Sequence, residues 1–160
     1  MINGQTLAFI GTAMPSNPDR GADYFTVPGQ RADIEVALAR HLRGEALPLI
    51  VLNYDGQVAG RLTLSGIVRG PFQSCSKGYW LGEDQTGKEL AADAMRATLD
   101  IAFSEPVLHS VEAGTLLRNT ASQNVLARNG FEQYGLAPKF CKIAGVWQDH
   151  LLFQRLSGSD

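Results

Sequence analysis

Gly78-Tyr-Trp-Leu-Gly-Glu-Asp-Gln-Thr-Gly-Lys-Glu-Leu-Ala-Ala-Asp-Ala94 changes its period half-way along. Gly78 to Leu81 is a short aromatic and apolar strand signal, followed by a polar turn with glycine in it. From Gly87 to Phe103 the residues Leu90, Ala94, Ala97, Leu99 and Ala102 recur at helical spacing, and Pro106 marks the end. A strand that turns directly into a helix aims the helix's unpaired N–H groups and the positive end of its dipole at the mouth of the turn. Any helix start also needs a turn residue, so this stretch alone leaves a structural turn and an anion site both open.

Upstream, the run 48–52 (Pro-Leu-Ile-Val-Leu) ends at Asp55-Gly56, a hairpin signal, and 58–68 alternates through Leu62, Leu64 and Gly66. Arg69-Gly-Pro71 is a loop ahead of the strand at Gly78, so the three strands read as an antiparallel meander. Ile34, Ala37, Leu38 and Leu42 predict a helix over 30–43, stopped by Gly44. Pro15, Pro18, Gly21, Pro28 and Gly29 predict an irregular segment between Met14 and Gln30, and 1–29 as a whole reads as an irregular front end.

Downstream, 110–116 is a strand and 120–128 a short helix closed by Asn129-Gly130. Residues 131–143 and 147–156 are two strands joined at Ala144-Gly145. No repeat or linker divides the chain, so a single domain over 1–160 is expected. A strand–helix–strand unit inside a mixed sheet predicts an α/β (α+β) layered fold.

The bulk composition narrows the partners. With 44% hydrophobic and 19% charged residues the chain is an ordinary globular protein, and a formal charge of -2 argues against nucleic acid as a main partner. No apolar run approaches the ~20 residues of a membrane span, and the start, MINGQTLAFIGTAM, lacks the basic leader of a signal peptide. Cys75 and Cys141 form no CxxC pair and are expected to be buried free thiols, which suits a cytoplasmic setting. No His/Cys/Asp/Glu spacing suggests a metal site.

The quoted stretch resembles the strand, phosphate loop and helix start of the GCN5-related N-acetyltransferases (GNAT). Asn119-Thr-Ala-Ser122 through Asn129-Gly-Phe131 resembles their next motif, and Ile143-Ala-Gly-Val-Trp-Gln-Asp-His150 completes the likeness to the ribosomal-protein N-terminal (RimJ/RimL-type) alanine acetyltransferase branch. The likeness runs from about Asp19 to Leu156. It implies a mixed central sheet with splayed strands flanked by helices, acetyl-CoA as co-substrate, and a primary amine as acceptor, either a protein N-terminus or a small molecule. A homodimer is implied by the family alone.

The resemblance also assigns residues. Leu81 and Gly82, on the splayed strand, would face the pantetheine arm. Thr86, Gly87, Lys88, Glu89, Leu90 and Ala91 would form the pyrophosphate cradle at the helix N-terminus. The family pattern there is Gln or Arg, two variable residues, Gly, one variable residue, then Gly or Ala. Thr86 and Glu89 depart from it, and Glu89 adds a Cβ and a negative charge where backbone approaches phosphate. If it faces the phosphates, the expected loss of affinity is roughly several-fold to a hundredfold.

For chemistry, the leaving thiolate needs a proton and the amine must shed one. Many relatives use a tyrosine at the position of Leu126, which cannot serve; in the RimJ/RimL branch a serine is thought to act, and Ser122 holds that place. Ser122 is equally expected as a helper of the first helical turn, and Asn119 as a cap or a contact to the pantetheine arm. Glu112 is the candidate base, unless strand alternation turns it outward. His109 and His150 are runners-up, expected to be solvated or locally bonded; His41 ranks lower. Trp80 and Trp147 are read as core or groove-lining aromatics, Trp147 as a possible wall of the acceptor site.

The front end is shorter than the strand and longer helix with which this family begins. Two readings therefore stand: an active N-acetyltransferase, favoured by Asn119, Ser122 and Glu112, or a catalytically impaired CoA-binding or structural module, favoured by Thr86, Glu89 and the short front end.

Overall fold

The computed structural model describes residues 22–82, 85, 89–105 and 107–158. A single 3-10 turn over Ala22–Phe25 leads into helix α1, Val27–Leu42. Three strands follow, β1 Ala46–Leu52, β2 Val58–Val68 and β3 Ser74–Leu81. Helix α2 spans Leu90–Ser104, strand β4 Ser110–Leu116, helix α3 Thr120–Arg128, and strands β5 Glu132–Ile143 and β6 Val146–Leu156 close the chain.

The irregular segment expected up to Gln30 is corrected at its C-terminal end, where α1 begins at Val27. Thr26 caps it, its Oγ1 accepting from Gly29 N at 3.2 Å and donating to Asp23 O at 2.7 Å. Pro28 lies in the first turn, where a missing N–H leaves no helical bond unmade. Gly29 serves a close approach: a Cβ there would collide with the Asp23 carbonyl oxygen. Residues 1–21, which hold the rest of the expected irregular front end, lie outside the described residues.

Other boundaries move by one or two residues, and two by more. β3 starts at Ser74 because Ser-Cys-Ser-Lys, which carries little apolar signal, pairs with β2 through Ser65↔Ser76 and Leu64↔Lys77. α2 starts at Leu90, not at 87. By contrast β4 and α3 fall where the pattern put them, the latter ended by Gly130 at φ 72°, a conformation that suits glycine.

The sheet order is β1-β2-β3-β4-β6-β5, antiparallel throughout except for β3 beside β4. Strand side chains alternate between faces. Leu62, Leu64, Cys75, Val111 and Phe153 form one core with Met95 and Leu99 of α2 and Leu126 of α3. The opposite face carries α1, held by Arg61 Nη1 to Asp33 Oδ2 at 2.6 Å.

Both cysteines are free; Cys75 is buried as expected, whereas Cys141 is only partly so. Burial, reinforced by Glu112, pushes the Cys75 thiol up to about 12, which keeps it protonated and inert. No helix among the described residues is long and apolar enough to cross a membrane.

Candidate active site

Parallel pairing between β3 and β4 lasts for three residue pairs only, Ser74↔Ser110, Cys75↔Val111 and Ser76↔Glu112. Beyond them β3 stays with β2 as far as Leu81↔Gly60, and β4 stays with β6 as far as Leu116↔His150. The two strands therefore part at Lys77 and Ala113, and a wedge opens in the middle of the sheet. Backbone groups inside a sheet are normally paired, so the facing edges of such a wedge offer donors and acceptors to an extended amide-bearing chain.

Both helices that follow the wedge strands start at its open end. Asn119 caps α3, its Oδ1 accepting from Ser122 N at 3.1 Å. Gln123 Nε2 donates to Leu116 O and Leu117 O, both at 3.1 Å, which holds the first turn of α3 over the end of β4. The main-chain cap is thus supplied by Asn119, and the Ser122 hydroxyl is left to point elsewhere. It is buried, with Tyr79 Oη 3.4 Å away on β3. The Asn119 side chain is committed to the cap through its oxygen.

Lys77, Tyr79 and Leu81 share one face of β3 by strand period. Lys77 Nζ lies 4.5 Å from the centroid of the Tyr79 ring, and burial pulls its pKa down to about 7. Burial raises the Tyr79 hydroxyl, and its contact with Ser122 opposes that rise. Across the wedge, Thr115 Oγ1 is buried and has no hydrogen-bond partner among the described residues. Lys77, Thr115 and the Tyr79 hydroxyl were not singled out from sequence; the only signal was the two-residue spacing of Lys77 and Tyr79 in a strand.

The phosphate-loop residues divide. Thr86, Gly87 and Lys88 lie outside the described residues. Leu81 ends β3 and Gly82 follows it, with Gly82 N donating to Ala59 O at 2.8 Å, and Leu90 and Ala91 open α2. Glu89 is the residue before α2. Its side chain makes no capping bond and is 81% exposed, with Arg128 Nη1 3.8 Å away. Its carboxylate leans over the C-terminus of α3 and is open to water. Asn129 Nδ2 donates to Ala92 O at 3.2 Å and Val125 O at 2.9 Å, tying the two helices together behind it.

Glu112 sits at the vertex of the wedge and is partly buried. Its neighbours Val111 and Ala113 belong to the core, so Glu112 is turned to the opposite face, which carries α1. On that face an apolar cavity of about 330 Å³ lies between α1 and the meander, lined by Gln30, Ile34, Leu38, Ile50, Arg61 and Trp80 among others. A second hollow of about 320 Å³ sits between Leu116–Arg118 and Val146–Asp149, with Trp147 on its wall and 57% exposed.

Of the histidines, His109 is exposed as expected. His150 is the locally bonded alternative: it is buried, with Nδ1 3.1 Å from Gln148 O two residues away and its ring 5.3 Å from that of Phe140. No group of His, Cys, Asp or Glu among the described residues is placed to hold a metal ion.

The central strands part with two helix N-termini at the mouth of the opening, and comparison with known proteins gives the family. The acetyltransferase (GNAT) domain family matches residues 7–132. The chain belongs to the GNAT acetyltransferases. This acetyltransferase is 38% identical over 142 residues to the probable N-acetyltransferase YjcK of Bacillus subtilis, covering 88% of this chain and 78% of that protein. It is 30% identical over 139 residues to the ribosomal protein uS5 alanine N-acetyltransferase of Escherichia coli, covering 86% and 72% respectively. Among solved structures, RimJ of Mycobacterium smegmatis in complex with CoA-disulfide superposes with a TM-score of 0.89 at 31% identity, over 94% of this chain and 73% of that one. The GNAT chain is an acyltransferase of the RimJ/RimL-like kind. The wedge suits the CoA arm on its own evidence too: pairing between its two edges stops after three residue pairs.

Proposed function

We propose that this chain transfers an acetyl group from acetyl-CoA to the α-amine of a protein N-terminus, by direct attack while both substrates are bound. The observation that carries the reading is the parting of β3 and β4 after Ser76 and Glu112, with the buried Ser122 hydroxyl at its open end. Acetyl-CoA, when bound, supplies the activated acyl carbon. The start of α2, with Leu90 and Ala91, receives its pyrophosphate, helped by Thr86, Gly87 and Lys88 of the preceding loop. Leu81 and Gly82 and the free edge of β3 guide the pantetheine arm inward.

Ser122 donates the proton that the departing sulfur needs. Glu112, on the other face at the vertex, takes a proton from the incoming amine, which enters beside α1 or past Trp147. An N-terminal amine is favoured over a small molecule by two observations. The relative from Escherichia coli is named for such a substrate, and hollows at Trp80 and at Trp147, both toward the open end of the wedge, leave room beside it for an extended peptide. The same reading takes the enzyme to be cytoplasmic and homodimeric, as the resemblance implies.

Melting with and without saturating acetyl-CoA tests the cofactor half: a ligand at a hundred times its dissociation constant adds about 2.7 kcal/mol, a rise of roughly 5–10 °C for a domain of this size. Free-thiol release with N-terminal peptides tests the acceptor half. No rise at millimolar acetyl-CoA would return the chain to the structural-module reading. A rise with a silent peptide panel and an active small-amine panel would move the acceptor class.

A further inference from the structure

Among the described residues, Lys77 is the lysine that stands on β3 where the wedge begins to open. It is the first β3 residue after pairing with β4 ends, and it shares a face with Tyr79, whose ring its Nζ overlies at 4.5 Å. The Tyr79 hydroxyl in turn stands 3.4 Å from Ser122 Oγ. One tyrosine ring thus separates the lysine nitrogen from the hydroxyl assigned as proton donor. From Gly82 to Lys77 the strand covers five residues, roughly 16 Å at ~3.3 Å per residue, so an extended arm anchored at Gly82 brings its thioester end toward this group. No carboxylate among the described residues forms an ion pair with Lys77 to hold its charge.

We propose that Lys77 is acetylated in cis by the bound acetyl-CoA, so that the enzyme carries a self-modification site within its own cofactor cleft. The inference rests on the reading that the arm lies in the wedge. In the step, the neutral Nζ attacks the thioester carbonyl carbon. An N–C bond forms as the C–S bond breaks, and the sulfur leaves with the electron pair. The proton lost by nitrogen balances the one gained by sulfur, passing through the hydroxyls of Tyr79 and Ser122. The products are Nε-acetyl-Lys77 and free CoA, with no other reactant needed.

Electrostatics favour the step. A lysine is a nucleophile only when neutral, and with a pKa near 7 about half of Lys77 is neutral at pH 7, against fewer than about one in a thousand for an ordinary lysine. The acetylated side chain is longer and uncharged and stays in the wedge, so it occupies space the arm requires.

The test is peptide mass spectrometry of the whole protein incubated with acetyl-CoA, with melting curves on the same samples. Lys77 is expected to gain an acetyl group about a hundredfold faster than the exposed Lys139 and Lys142. That advantage should disappear in urea and fall in Ser122→Ala. An acetylated sample, or Lys77→Gln, should show a smaller acetyl-CoA-induced rise in melting temperature than the unmodified protein or Lys77→Arg. A clear rise on binding with Lys77 no faster than Lys139 overturns the proposal and leaves the cofactor reading intact. No rise and no acetylation overturns both.

Discussion

The two helices that open onto the wedge begin differently. α3 starts under Asn119, whose side chain fills the hydrogen-bonding need of Ser122 N, and Gln123 fastens the same turn to the end of β4. α2 starts after Glu89, which offers no cap and turns outward beside Arg128. A capped first turn is electrostatically quiet and rigid, so it can hold the Ser122 hydroxyl in a fixed place, as the proposed proton donor requires. An N-terminus without a side-chain cap is the state in which helix N–H groups and dipole act on an external anion. One end of the site is thus built for position and the other for charge.

The contrast can be broken most sharply at Ser122. Ser122→Ala is expected to lower kcat by about a hundredfold or more while leaving the KM for acetyl-CoA nearly unchanged, read by thiol release. A fall of less than about threefold would reduce the capped end to a structural role. The charged end is probed by Glu89→Gly. Its carboxylate is solvated, so acetyl-CoA should bind only about threefold tighter, the scale of an exposed charge pair, as calorimetry would show. Unchanged affinity would mean that the carboxylate does not sense the phosphates at all.

Asn119→Ala removes the cap itself. A loss of about 1 kcal/mol is expected, lowering the melting temperature by roughly 3 °C, and kcat should fall with it because the turn that aims Ser122 loosens. If stability drops but kcat holds, rigidity of that turn is not what places the hydroxyl.

The smallest effect concerns Lys77, beneath the capped end. Its pKa is lowered on folding, so between about pH 7 and the ordinary lysine value the unfolded chain binds more protons than the native one. Stability contributed by this group therefore increases as pH rises through that window. Lys77→Met should flatten the rise measured by urea unfolding; an unchanged slope would show that the ammonium is well solvated.

How much of this was legible beforehand depended on sequence range. Strand β4 and helix α3 were placed to the residue, the end of α3 because Asn129-Gly130 acts on its immediate neighbours. The start of α1 was missed because Pro28 reads as a breaker, and only its position in the first turn, under the Thr26 cap, makes it compatible with helix. The motif placed Ser122 and Asn119 in a site, but which of them would cap depended on the geometry of a single turn. Whether Glu89 faces the phosphates was left open; its contact with Arg128 joins two helices far apart in sequence, and no local pattern encodes it.

By itself the sequence determined the layered fold, the strand–turn–helix at 78–94 and the acetyltransferase motifs, because periodicity, turn chemistry and helix signals act over a few residues. The tertiary structure alone decided where β3 and β4 part, that Thr115 is left without a partner, and that Tyr79, beneath Lys77, meets Ser122 at a sequence separation of 43. Those outcomes come from register and packing between elements, where each side chain's environment is supplied by residues that its own neighbourhood in the chain does not contain.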